Sequence, residues 1–360
     1  MEKKLSTLQS RQPWKKNDFS FKVQLTLVSV LPALLAVLVI LLAKLDFSLA
    51  LLGIFLPVQI LTNIVFGFIK GGRRGIGDAL LILFTVFFST LVLVLLLSVL
   101  WSVIAEGSKV LSPHFIYQNN RFVGTTTSLE YGGLGHAILG TLLMVIITTA
   151  LAVPLGIAMA VFLTQSQSKA RGLIRTITQS LAGLPSVVSG LFILSLMPLL
   201  KLEHVGLAGS LALFPLMLPT VARVAEESLK LVPADLRMAA LALGAPNYKA
   251  FFQVILPAAK SGIITAVLLG LARVVGETAP LILTTNISNT TNLNPFFGPI
   301  ASLPTYVYSF LGSHYATSQQ RAWGGALVLL ILVGVLFSLA RFTTRNKVRN
   351  SKVKKSKKEN

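Results

Sequence analysis

Two charges stand four residues apart inside an otherwise apolar stretch: Arg273 and Glu277 in GLARVVGETAPLILT, residues 270–284. On a helix, that spacing sets both side chains on one face, a turn apart. A charge at the centre of a bilayer costs roughly 2.5–3.5 kcal/mol on insertion scales, so such residues face a bundle interior or a water-filled path. Two chemistries suit the pair. In one, the charges neutralise each other and lock helices together. In the other, the guanidinium offers paired N–H donors to a passing oxyanion, and Glu277 holds Arg273 until the anion displaces it. Thr278 and Thr284 add hydroxyl donors. Nothing in the chain competes for covalent chemistry. The absence of cysteine excludes disulfides, thiolate metal sites and cysteine nucleophiles. His114, His136, His204 and His314 do not sit at ligand spacing, so no metal is expected. No G-x-x-x-x-G-K-[ST] phosphate loop occurs, and GGRRGIGD at 71–78 lacks the Lys-Ser/Thr ending and reads as a basic loop.

The elements that must position these residues are membrane spans. Of 360 residues, 54% are hydrophobic and 12% charged, whereas soluble domains run at about 25% charged. With a mean hydropathy of +0.76, this excludes a soluble globular or a disordered chain. Eight uncharged runs are long enough to cross a bilayer as helices, near 23–43, 47–69, 79–104, 135–163, 177–200, 205–222, 261–285 and 322–340. Pro215 and Pro219 interrupt the sixth. The first is expected to be retained, because its polar lead is long and no A-x-A-like cleavage site follows Leu42.

Alternating the spans from a cytoplasmic N-terminus puts 1–22, 70–78, 164–176, 223–260 and 341–360 inside. Of the 32 Lys and Arg, only Lys44, Lys109, Arg121, Lys201 and Arg321 then fall outside, and Arg273 lies in a span. That asymmetry is what the positive-inside rule demands, so both termini are expected in the cytoplasm. The net charge of +20 therefore records loop bias and gives no reason to expect nucleic acid. The basic tail SKVKKSKKEN is expected to sit on anionic lipid or in solvent. Trp101 and Trp323 fall at outer span ends, where amphipathic rings prefer the headgroup layer.

One inside segment is no ordinary loop: ESLKLVPADLRMAALALGAPNYKAFFQVILPAAKSG, residues 227–262. Asp235 is placed to cap a helix whose Leu236, Ala239, Ala240 and Leu243 make an apolar stripe. Gly244 ends that helix, left-handed geometry being glycine's usual use there, and Tyr248 to Phe252 begin a second short one. Pro257 precedes the return to the membrane. Two short helices bent at a glycine suit a groove on a partner, or else pack as a linker on their own chain.

At this segment, Ala239-Ala240, Gly244 and Val254-x-Leu256-Pro257 resemble the EAA signature of ABC-importer permeases, the cytoplasmic loop that docks into an ATPase subunit. Met238 stands where family members usually carry Glu, so an ion pair to the ATPase falls to Glu226, Glu227 or Asp235, or is absent. LAGLPSVVSGLF (181–192), LPTVARVAEESLKLVPADLR (218–237), GLARVVGETAPLILT (270–284), SLPTYVYSF (302–310) and RAWGGALVL (321–329) resemble phosphate-importer permeases of the PstA type. The likeness covers about residues 130–342.

The resemblance implies an all-α polytopic membrane protein with an ABC type I importer permease core. Its expected layout is a basic N-terminus (1–22), two additional N-terminal spans (23–76), a permease domain (77–342) and a basic tail (343–360). It implies a multi-pass subunit of a bacterial plasma (inner) membrane that moves inorganic phosphate inward and catalyses no covalent step. The implied partners are a PstC-like second permease, a PstB-like ATPase dimer carrying the ATP and magnesium, and a PstS-like extracytoplasmic phosphate-binding protein. This chain itself would bind no cofactor. Arg273, Glu277, Thr278 and Thr284 are the candidate substrate path, and Asp235, Ala239, Ala240, Gly244, Leu256 and Pro257 the candidate ATPase-coupling residues. A permease of the same fold for molybdate or sulfate, and an ion-coupled secondary transporter with Glu277 as proton carrier, stay open as alternatives.

Overall fold

The computed structural model describes residues 56–199 and 204–356. The chain divides into two compact units, Met1–Val99 and Leu100–Asn360. Among the described residues, every regular element is helical. They are α1 (Leu56–Gly107), α2 (Pro113–Tyr117), α3 (Gly135–Gln165), α4 (Ala170–Ala182), α5 (Ser186–Leu196) and α6 (Gly206–Lys230). These are followed by α7 (Ala234–Ala242), α8 (Asn247–Ala258), α9 (Lys260–Val275), α10 (Ala279–Thr284), α11 (Leu303–Leu311) and α12 (Ala316–Ser356).

Among the described residues, four helices are long and apolar enough to cross a membrane, over Ile76–Gly107, Gly135–Gln165, Gly206–Lys230 and Ala316–Ser338; two bent pairs raise this to as many as six. The chain is therefore a multi-pass membrane protein. The expected span at 23–43, and the start of that at 47–69, lie outside the described residues.

Three sequence expectations are corrected. The 71–78 stretch is not a loop: helix runs on both sides of a single break at Gly72, whose φ of 60° lies in the left-handed region. The 177–200 run is not one straight span, because α4 and α5 meet at 105°. Pro185 lacks an N–H and restricts Leu184, so the helix ends at Gly183. The stretch before the bend, placed in a loop by charge, is amphipathic helix. Finally, Pro215 and Pro219 do not interrupt the sixth span. Thr148 Oγ1 donates to the Ser210 carbonyl (3.1 Å) and Ser189 Oγ to the Ala212 carbonyl (2.5 Å). Neighbouring helices thus supply hydrogen bonds beside the turn that proline loosens.

The second unit is layered along α3 and α6, whose mutual contact is the most extensive in the fold. In the first layer Phe115, Leu134, Ala137, Leu303, Tyr306 and Val328 pack together. The middle layer holds Met144, Ala152, Leu216, Met217, Val221, Val274 and Leu281. The third joins Ala160, Ala225 and Leu229 to Phe251, Ile255 and Ala266. In lipid, where apolar burial drives helix association weakly, close backbone approach matters most. Val221 illustrates it: β-carbons at Gly156 and Gly270 would stand 3.0 and 2.8 Å from its methyl groups. These two glycines let α3 and α9 close on α6 from either side.

Candidate functional site

The Arg273–Glu277 spacing does not produce a helical pair. Helix α9 ends at Val275 with Gly276 as its C-cap. Glu277 lies past that end, its N–H donating to the Val274 carbonyl at 3.2 Å. Among the described residues no ion pair joins Arg273 to Glu277. Glycine at 276 and proline at 280 outweigh the helical period here. The guanidinium instead reaches across to α6, where Nη1 donates to Thr220 Oγ1 at 3.2 Å on an exposed face. Arg273 stands thirteen residues beyond Lys260, about 20 Å along the helix axis at 1.5 Å per residue. It is therefore a cation in the last turn of an apolar helix, held by a neutral hydroxyl, with its remaining donors free of carboxylate.

Thr278 caps the start of α10 without a side-chain capping bond. With Val187, Ala279, Ile282, Leu283, Pro304 and Tyr308 it lines a cleft of about 470 Å³ between α5, α10 and α11. Apart from Thr278 and Tyr308 that lining is apolar, and neither Arg273 nor Glu277 contributes to it. The wall formed by α11 is set by the SLPT sequence. Ser302 Oγ accepts from the Thr305 N–H (3.3 Å), Thr305 Oγ1 accepts from the Ser302 N–H (2.9 Å), and Pro304 falls in the first turn. Thr284 points elsewhere. It is fully buried, and its hydroxyl donates to the Pro280 carbonyl at 2.7 Å, so it offers no donor to the cleft. Thr220, the acceptor for Arg273, is absent from the candidates read from sequence, where its one signal is a hydroxyl beside Pro219 in an apolar run.

The 227–262 segment forms the expected helix pair with altered details. Helix α7 begins after Pro233, so Asp235 sits in its first turn and not at the cap. There a carboxylate still complements the positive end of the helix dipole. At the other end Gly244 has φ +81°, the Gly244 N–H donates to Leu241 O (2.9 Å) and the Ala245 N–H to Ala240 O (3.1 Å). That is a Schellman termination, which demands a left-handed residue at this place. Arg237 Nη2 donates to Asn247 Oδ1 at 3.5 Å, bridging α7 and α8. Helix α8 contains a π-turn over Phe251–Ile255 and meets α9 at 66°.

This geometry sorts the apolar residues. Ala240, Ala250, Phe251, Ile255 and Ala259 are buried on the body of the chain. Leu236, Met238 (64% exposed), Leu243 (89%), Tyr248 and Phe252 project outward as a ridge; Ala239 and Pro257 are exposed and Leu256 is half-buried. The supposed single stripe is thus divided, with only Ala240 of its four members inside.

The acids near the ridge are sorted too. Glu226, 7% exposed, accepts from Arg175 of α4 (3.1 Å) and Lys230 (2.8 Å), and Glu227 pairs with Lys230 at 3.2 Å. Asp235 alone of the three candidate carboxylates has no ion pair among the described residues.

A multi-pass helical bundle with a lone cation in the last turn of an apolar helix and an exposed helix pair between two others has the layout of a membrane transport subunit. Residues 152–348 match the family model described as binding-protein-dependent transport system inner membrane component, and the chain belongs to that family. The phosphate transport system permease protein PstA 1 of Mycobacterium tuberculosis is 39% identical over 256 residues, 70% of this chain and 84% of that one. Its counterpart PstA in Xylella fastidiosa is 40% identical over 231 residues, 63% of this chain and 80% of that one. Among solved structures, a chain of an amino acid ABC transporter aligns with a TM-score of 0.45 at 17% identity, covering 58% of this chain and 92% of that one.

Proposed function

We propose that the chain is a transmembrane permease subunit of an ATP-driven importer of inorganic phosphate. The observation that carries this reading is the 39–40% identity to phosphate permeases across the body of the chain. Arg273 supports it chemically. A guanidinium held at the end of an apolar helix by one neutral hydroxyl keeps donors available for a phosphate oxygen and loses little by releasing Thr220.

The 227–262 segment faces the cytoplasm, together with both termini, and its exposed ridge enters a groove on an ATPase dimer that holds the ATP and magnesium. Rigid-body movement of α7 and α8 is passed to α6 and α9 together, because Phe251 and Ile255 pack with Ala225 and Leu229 of α6 and Ala266 of α9. A second, similar permease covers the exposed Arg273 face, and an extracytoplasmic binding protein delivers phosphate to the opposite end. Residues 77–342 form the permease domain, preceded by two additional spans at 23–76. The chain makes and breaks no covalent bond. In the path the guanidinium replaces part of the anion's hydration, and Thr278, which lines the neighbouring apolar cleft, adds a hydroxyl donor.

The test is labelled phosphate uptake into proteoliposomes holding this chain, its partner permease, the ATPase and the binding protein. Uptake should require ATP inside the cytoplasm-equivalent compartment, persist when the proton gradient is collapsed, and resist competition by sulfate or molybdate. Uptake that follows the proton gradient without ATP would overturn it.

A further inference from the structure

Arg321, in the second turn of α12, counts by sequence as an ordinary loop charge, yet its side chain is fully buried. Nη2 donates to the carbonyls of Thr127 (3.3 Å), Ser128 (2.8 Å) and Tyr131 (2.8 Å), all neutral acceptors. Nε and Nη1 have no protein acceptor. Among the described residues no carboxylate pairs with it. A buried ion without a counter-charge costs several kcal/mol, which a folded protein removes by pairing it.

Two further buried groups meet at the same place. Asn120 is fully buried and uses Oδ1 to accept from the Gly133 N–H at 3.1 Å, leaving Nδ2 without an acceptor. The Tyr306 hydroxyl, on α11, stands at hydrogen-bonding reach of both the Asn120 amide and the Arg321 guanidinium, yet meets neither in aligned hydrogen-bond geometry. Gly325, one turn beyond Arg321, permits this approach: a β-carbon there would stand 3.0 Å from Tyr306 Cδ1. His136 of α3 faces the phenol ring at 5.9 Å between centroids and brings no negative charge.

The inventory is lopsided. Nε, Nη1 and Nδ2 can only donate, and the phenol oxygen and the buried, unpartnered Nδ1 of His136 are the two neutral groups able to accept. Even when each accepts from one neighbour, donors remain in excess and the charge stays positive. Water satisfies donors but leaves the charge uncompensated, whereas an anion does both.

We propose that Arg321, Asn120 and Tyr306 form a buried site for one small inorganic anion, separate from the Arg273 path, which ties the 113–134 segment to α11 and α12. Three donor groups arriving from three elements suit a halide or a compact oxyanion. The site takes no part in transport; it neutralises the guanidinium and holds the three elements together.

The experiment uses the complete permease–ATPase complex in gluconate buffer at fixed ionic strength. Gluconate is replaced by chloride in one arm and by phosphate in the other, with the Arg273→Met background in the phosphate arm so that binding in the transport path is not counted. The thermal midpoint should rise saturably by about 2–4 °C in one arm, the shift expected when a ligand binds only the folded state. Saturation by chloride identifies a halide site, and saturation by phosphate an oxyanion site. Asn120→Asp keeps the acceptor for Gly133 and adds a built-in counter-ion. It should unfold in gluconate at the midpoint of the saturated parent and show no anion response. Arg321→Met should also lose the response, and if it does not accumulate, Asn120→Asp carries the test alone. No response in either arm, or an undiminished response in Asn120→Asp, overturns the site.

Discussion

Replacing Gly244 by valine isolates the coupling geometry from every other property of the segment. The backbone there sits at φ +81° and closes α7 through the Gly244 and Ala245 N–H bonds. Beyond its two chain neighbours, no residue comes within 4 Å of where a β-carbon would go, so the substitution meets no packed neighbour and its cost is conformational. Holding an L-residue in the left-handed region costs roughly 1–2 kcal/mol, and a β-branched one lies at the upper end. If the ridge of Met238, Leu243 and Tyr248 docks only when that turn is formed, the penalty passes to the docking equilibrium. At 1.4 kcal/mol per decade, the Kd between the permease pair and the ATPase then rises about 5–30-fold. Asparagine tolerates the left-handed region, so Gly244→Asn should remain close to the parent, with Gly244→Ala between the two. The assay is ATPase affinity for nanodisc-embedded permease on a biosensor, read beside binding-protein-stimulated hydrolysis. Parent-like affinity for Gly244→Val would refute the reasoning, as would equal losses for valine and asparagine.

Four other outcomes follow from particular residues. In whole cells, single cysteines at the exposed positions Thr126 and Gln167 should differ, the first reacting with an impermeant maleimide and the second not; labelling at Gln167 from outside reverses the proposed orientation. Thr284→Val should lower stability by about 1 kcal/mol through its lost hydroxyl bond, read as a thermal shift, and leave phosphate uptake unchanged, because that hydroxyl is turned into its own helix. Asp235→Asn should weaken ATPase docking severalfold at low salt and little at high salt, as exposed charge pairs are screened. Glu227→Gln, whose partner is already internal, should change docking little in the same titration.

The helical, membrane-spanning class was legible in the sequence because long uncharged runs leave the backbone no alternative in lipid. The Gly244 turn was legible for a similar reason, since glycine after an alanine-rich helical stretch has one common use. What could not be read was direction. Composition marks 177–200 as apolar but carries no signal for a 105° turn beyond Gly183 and Pro185, and the same apolar period does not show which of Ala240 and Leu243 faces the chain. The Arg273–Glu277 spacing misled because i, i+4 logic assumes an unbroken helix, and Gly276 breaks it. Arg321 and Asn120 were illegible for a different cause: burial of a loop charge arises from contacts nearly 200 residues apart in sequence, such as Arg321 to Thr127.

The central claim, that Arg273 is the anion contact of a phosphate permease, is tested most directly by labelled phosphate uptake at matched membrane abundance, with ATP present and the binding protein saturated. Arg273→Met/Glu277→Leu should insert and assemble but carry no phosphate, and Arg273→Lys, which keeps the charge and loses the planar fork, should lose most of its uptake. Near-parental uptake by the double variant would contradict the account and leave Arg273 as a tether to Thr220.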